Sequence, residues 1–142
     1  MLEAIMCLAL NTYHEAKNQS FIGQVAVAQV VMNRVEDTRY PNNVCDVVKQ
    51  GLTYKWKPTL PIKNRCQFSW YCDGKSDKPK NKEAMKTALK VAYKVYHKEL
   101  DDFVEGATHY HAHYVNPSWA ETKTYVTRID DHIFYRWEIK DE

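Results

Sequence analysis

Phe21-Ile22-Gly23-Gln24-Val25-Ala26-Val27-Ala28-Gln29-Val30-Val31-Met32-Asn33-Arg34-Val35 is apolar on more than one helical face, the pattern of a helix enclosed by its neighbours rather than laid on a surface. Its Val-rich middle also has strand character, but the run is too long for one strand. Ser20, immediately before it, is placed to cap the helix with its side chain. A chain of 142 residues can bury enough apolar surface around such a helix to fold without a staple. One domain over residues 1–142 is the expectation.

Upstream, Leu2, Ile5, Met6, Ala9 and Tyr13 recur at helical spacing, predicting a helix that ends near Glu15 and is broken by Lys17-Asn18-Gln19-Ser20. Downstream, Tyr40-Pro41-Asn42-Asn43 reads as a turn and 43–50 as a short helix closed by Gly51. Residues 52–80 are rich in proline and polar side chains and predict irregular structure. A third long helix is expected over 82–100, with Ala84, Ala88, Val91, Ala92 and Val95 on one face and a solvated lysine face opposite. Thr108 to Val115 alternates with a period of two, and TYVTRI and IFYRW flank an Asp130-Asp131-His132 turn as a hairpin does. The fold class is therefore α+β, a helical N-terminal two-thirds followed by a small C-terminal antiparallel sheet.

Twenty basic and eighteen acidic residues leave a net charge of +2, without the one-signed field of a nucleic-acid or membrane-surface binder. No apolar run reaches bilayer length, which predicts no membrane insertion. The start, MLEAIMCLAL, has no basic leader and carries Glu3, so it reads as a mature helix of a protein made in the cytoplasm without a signal peptide. Cys7, Cys45, Cys66 and Cys72 match no standard zinc spacing, and in a reducing cytosol they begin as thiols. Cys66 and Cys72 remain a pair that can form later. Ten Tyr and four Trp supply flat faces with polar edges, suited to a core and equally to stacking on sugar rings.

Glu15 is the residue most suggestive of chemistry. A carboxyl at a helix C-terminus meets the negative end of the dipole, and burial beside the apolar helix also disfavours its charge. Both effects keep a proton available for a glycosidic oxygen. The plain alternative is a solvent-facing residue at a fraying helix end.

Tyr13-His14-Glu15-Ala16, a polar spacer and then Gly23 to Val35 closely resemble the signature of the SleB/CwlJ-type cell-wall hydrolases. The resemblance continues through Tyr40-Pro41, Cys66-Gln67-Phe68-Ser69-Trp70, Cys72-Asp73-Gly74, Gly106 to Ala112, Tyr114 to Trp119 and His132-Ile133-Phe134-Tyr135. It spans nearly the whole chain in order. The resemblance implies a distantly lysozyme-like fold and cleavage of peptidoglycan glycan strands between N-acetylmuramic acid and N-acetylglucosamine. The family's catalytic Glu falls on Glu15. A lytic transglycosylase needs that one carboxylate, as acid and then as base, to form a 1,6-anhydro ring, and no metal or cofactor. An ordinary glycosidase needs a second carboxylate, for which Asp73 and Glu121 are candidates, although a turn-forming Asp and a surface Glu describe them as well.

Gln67, Phe68, Ser69 and Trp70 are candidates to line the glycan groove, as are Tyr114, Asn116 and Trp119, and each can instead be packing. On a continued strand, His109, His111, His113 and Val115 share one face while Tyr110 and Tyr114 share the other. Asn33 and Arg34 are expected to brace the buried helix. Two rival readings stay open. His109, His111 and His113, with His132 or Glu15, offer donors for a zinc-dependent N-acetylmuramoyl-L-alanine amidase, although the family's pattern varies at these histidines. A non-catalytic wall-binding module is the other. With neither leader nor separate wall-binding segment, a phage endolysin-like bacteriolytic enzyme is the expected setting, dependent on a holin, lysis or another carrier to reach the wall.

Overall fold

A computed structural model describes residues 1–139; residues 140–142 of the expected domain lie outside the described part. Helix α1 covers Leu2–Ala16, α2 Phe21–Val35, α3 Val44–Val48 and α4 Lys82–Tyr96. Strands β1 (Gly51–Tyr54) and β2 (Lys57–Cys66) form one antiparallel pair, and β3 (His109–Ala112), β4 (Thr124–Ile129) and β5 (His132–Arg136) form a sheet of order β3-β5-β4. The α+β expectation holds. No described helix is long and apolar enough to cross a membrane.

The central helix is enclosed as its composition dictates: Val25, Ala26, Val27, Ala28, Val30 and Val31 are all fully buried. Because α2 is apolar all round, it serves two cores at once. Val25, Ala28 and Val31 pack with Leu8, Val47, Val91 and Ala92 of the other helices, while Ala26, Val27 and Val30 pack with Val104, Ala107 and Phe134 beneath the sheet. Ser20 caps α2 as expected, its Oγ accepting from Gly23 N at 3.1 Å. Asn43 caps α3 in the same way, its Oδ1 accepting from Asp46 N at 2.9 Å.

Four expectations need correction. Residues 51–66 are not irregular but a twisted hairpin with register shifts, bearing Pro58 and Pro61 on its exposed β2 strand, where proline costs little because an edge strand leaves N–H groups unpaired. Gly51 does not close α3; it opens β1, and a Cβ there would press on Cys66 at 2.8 Å. Helix α4 stops at Tyr96 rather than 100, because Lys98 turns left-handed (φ 55°) and Lys98 N and Glu99 N bond back to Val95 and Lys94 carbonyls, a Schellman ending. Strand β3 ends at Ala112, with Val115 N turning back to Ala112 O, so His113 and Val115 do not continue its face. All four cysteines are paired, Cys7 with Cys45 and Cys66 with Cys72.

Candidate active site

Glu15 is the penultimate residue of α1, and its Oε1 accepts a hydrogen bond from Tyr110 Oη at 2.5 Å. Strand alternation makes this contact: Tyr110 points toward the helices while His109 and His111 point away. Burial pushes the Glu15 carboxyl above its ordinary range, against the opposing pulls of the Tyr110 hydrogen bond and the Arg34 charge. Burial, one of the two causes expected from sequence, is the leading one. Tyr110 itself is driven well above its ordinary value by burial, then by the Glu15 charge and their hydrogen bond, so its hydroxyl stays protonated and donates.

Arg34, the penultimate residue of α2, is only 5% exposed. Its Nε donates to Thr108 O at 2.7 Å, and its guanidinium lies 5.0 Å from the Tyr40 ring and 5.4 Å from the Phe68 ring. Burial lowers its pKa while Tyr40, Tyr110 and Glu15 raise it. Asn33 donates to Ala107 O at 2.9 Å. Both residues brace the sheet against α2, and Arg34 also sets the charge felt by Glu15.

Beside Glu15 the chain opens into a cavity of about 270 Å³, lined among others by His14, Gln19, Tyr114, Asp131 and His132. His132 is 9% exposed, and burial lowers its pKa against the pull of Asp131 and Asp130, which favours the neutral ring. His14 stacks on Trp70 at 4.5 Å, and Trp70 Nε1 donates to Asn11 Oδ1 at 2.9 Å. Trp70 and Tyr114 are therefore brought to the Glu15 end of the molecule.

The other expected groove residues scatter. Phe68 is a core residue, 3% exposed, so it supports Arg34 from below instead of lining a groove. Gln67 is exposed, with Oε1 3.5 Å from Arg34 Nη1. Ser69 and Asn116 are exposed. Trp119 packs on His109 at 5.1 Å, His111 at 5.6 Å and Tyr135 at 5.4 Å, on the face of β3 opposite Tyr110. Asp73 accepts from Lys75 N at 2.8 Å in a turn before Gly74 (φ 81°), and Glu121 lies exposed in a 3-10 turn. Neither borders the Glu15 cavity.

Asp131 does border it, and sequence reading passed over it as a turn residue. Its Oδ2 accepts from Gln19 Nε2 at 3.0 Å, and Oδ1 stands 3.6 Å from His113 Nε2. Tyr110 was likewise missed as the partner of Glu15. The signal for Arg34 was present, a cation inside an otherwise apolar helix.

The histidine series does not form a zinc cradle. His109 Nδ1 meets Thr108 Oγ1 at 2.9 Å, and burial, followed by Arg34, Lys123 and Arg39, lowers its pKa to about 4. His111 uses one ring nitrogen on Ala112 O (2.7 Å) and the other on Tyr135 Oη (2.8 Å). His113 has left the strand for Asp131. Among the described residues no three His, Cys, Asp or Glu side chains converge as ligands.

The profile of the cell wall hydrolase family matches residues 18–135. The chain belongs to the cell wall hydrolase family. The match begins just after Glu15 and does not include that residue. The fold is that of SleB catalytic domains. It superposes on the catalytic domain of the germination-specific lytic transglycosylase SleB from Bacillus anthracis with a TM-score of 0.67, 25% identity and 96% of both chains covered. The catalytic domain of Bacillus cereus SleB gives 0.66 and 26%, covering 96% of this chain and 91% of that one. Spore cortex-lytic enzymes of Halalkalibacterium halodurans and Bacillus subtilis are each 38% identical over 50 residues, 35% of this chain. The chain's match spans only 15% and 16% of the length of those two relatives.

Proposed function

We propose that this chain is a peptidoglycan lytic transglycosylase in which Glu15 is both acid and base, the described residues acting as one catalytic unit. The observation that carries this reading is the Glu15 carboxyl itself. Burial favours its protonated form, and Tyr110 engages Oε1, leaving Oε2 for the glycan. Glu15 gives its proton to the oxygen linking N-acetylmuramic acid C1 to the next sugar, and the C1–O bond breaks. The resulting carboxylate then takes the proton of the muramoyl 6-hydroxyl as that oxygen bonds to C1, closing the 1,6-anhydro ring and restoring the acid. No water enters the balance. The nearby Arg34 charge and the Tyr110 hydroxyl steady the carboxylate during the interval when it is ionised. Likeness to a lytic transglycosylase over 96% of both chains supports this outcome.

Asp131 supports a second reading, hydrolysis, because a carboxylate on the same cavity is placed to activate water. Its hydrogen bond from Gln19 and its approach to His113 fit a turn brace better. Mass spectrometry of muropeptides released from purified peptidoglycan separates the two. Wild type is expected to yield anhydro-muramoyl ends, Asp131→Asn to keep them, and Glu15→Gln to release less than a few per cent of the product. Reducing ends lost in Asp131→Asn would establish the hydrolase instead.

A further inference from the structure

Tyr13 and His14, the two residues before Glu15, hold down a distant loop. Tyr13 Oη accepts from Lys80 N at 3.1 Å and Asn81 N at 3.0 Å, and His14 Nε2 meets Asp77 O at 2.8 Å. The loop so pinned carries Lys78 and Lys80 and runs into Lys82 at the start of α4. With Lys17 these lysines line a cavity of about 690 Å³ that shares His14 and Lys17 with the Glu15 cavity. Its size is that of an ordinary ligand site.

The charge balance is one-sided. Glu83 is the one carboxylate among the lining residues, and it already stands 3.6 Å from Lys86. Asp77 and Asp73 lie nearby on the loop, Asp77 half-buried. None of Lys78, Lys80 and Lys82 has an acidic partner within ion-pair distance among the described residues, and Lys17 rests over the Tyr13 ring at 4.9 Å. Four ammonium groups around one cavity repel one another, and an anion placed among them relieves that cost.

The geometry points to a subsite for the carboxylates of the peptidoglycan stem peptide, formed by Lys17, Lys78, Lys80 and Lys82 next to Glu15. This rests on the proposed cleavage at muramoyl C1. In N-acetylmuramic acid the lactyl ether at C3 carries the peptide, so the peptide leaves the same sugar ring whose C1 meets Glu15. The lysine cavity adjoins the Glu15 cavity and offers the charge that matches the peptide carboxylates. Strands that carry peptide are then bound in preference to bare glycan.

The test is calorimetric titration with the disaccharide N-acetylglucosaminyl-N-acetylmuramoyl-tetrapeptide and with the same disaccharide lacking the peptide. Neither contains the bond cleaved at C1, so both stay intact whether or not Glu15 is the acid, and the result is read independently of the Glu15→Gln product analysis. The peptide-bearing ligand is expected to bind wild type about tenfold more tightly, from a few exposed charge pairs of modest individual strength. The Lys78→Gln/Lys80→Gln/Lys82→Gln variant, its fold checked by its unfolding curve, should lose that preference and leave the peptide-free affinity unchanged. Equal binding of the two ligands by wild type would overturn the subsite. So would equal weakening of both in the variant, or lysine-dependent binding of poly(glycerol phosphate) with no peptide preference, which would assign the cavity to an anionic wall polymer.

Discussion

The Glu15 carboxyl is set by two opposing neighbours, and each makes its own prediction. Tyr110 donates to the charged form and so lowers the Glu15 pKa; removing the hydroxyl leaves burial less opposed. In Tyr110→Phe the alkaline limb of kcat against pH should therefore move upward, while kcat at its optimum falls by about tenfold through lost orientation. A limb that stays in place or moves down would show that Tyr110 does not act through Glu15. Burial has a stability consequence as well. The folded-state pKa lies above the ordinary value of 4.5, so the native state binds this proton more tightly than the unfolded chain, and stability is lost as pH rises from 4.5 through the folded value. Glu15→Gln, neutral at every pH and still able to accept from Tyr110, should raise Tm at pH 8 and change it little at pH 4, read by thermal unfolding at both. Of this proposed site the sequence pointed to Glu15 through the family resemblance, since its place at a helix end left a solvent-facing residue as an equal description. It did not disclose Tyr110, 95 residues away, because alternation in a strand assigns two faces without saying which one meets the helix. Asp131 was hidden for a similar reason, since a turn Asp is common and only the docking of that turn beside α1 gives it a place in the cavity.

At the scale of elements, the docking of the β4–β5 turn onto α2 decides the shape of the site. Asp130, left-handed at φ 51°, accepts from Ser20 N at 2.8 Å and Ser20 Oγ at 2.6 Å. Gly23 permits this approach, because a Cβ there would collide with Asp130 Oδ2 and stand 2.9 Å from Gln19 Cβ. Gly23→Ala should cost roughly 1–3 kcal/mol of stability in urea unfolding, the usual range for overpacking. It should also lower kcat/KM, since the displaced turn carries Asp131 and His132. In an Asp130→Gly background, where the carboxylate is gone and the left-handed backbone suits glycine, the same substitution should cost less, with only the Gln19 contact left to relieve. Equal costs in both backgrounds would locate the strain elsewhere. The helices and the C-terminal hairpin were legible because each repeats its period against a buried face. The β1–β2 hairpin was not: neither strand contains a fully buried residue, so no apolar alternation marks it, and its prolines signal irregular chain.

For the molecule as a whole, the disulfides bear on how the helix that carries Glu15 is held. Cys7 and Cys45 tie α1 to α3 across 38 residues, whereas Cys66 and Cys72 close a span of only 6. Chain entropy makes the longer loop worth roughly 4 kcal/mol and the shorter about 2. Composition alone could not reveal the first pair, because the two cysteines are remote in sequence and only helix packing brings their Cα atoms to 5.3 Å. Cys7→Ala/Cys45→Ala should therefore lower Tm by about 10 °C, on the scaling of a few degrees per kcal/mol for a chain of this size, and Cys66→Ala/Cys72→Ala by about half as much. Glu15 lies eight residues beyond Cys7 on the same helix, about 12 Å along its axis. Its carboxyl is held by Tyr110, and α1 itself packs on α2 and α4, so kcat measured well below Tm should be unchanged in the Cys7/Cys45 variant. Differential scanning calorimetry with and without reductant, alongside glycan cleavage at low temperature, checks both halves. A loss of kcat that precedes unfolding would mean that the covalent tie to α3, and not the packing around α1, sets the position of Glu15.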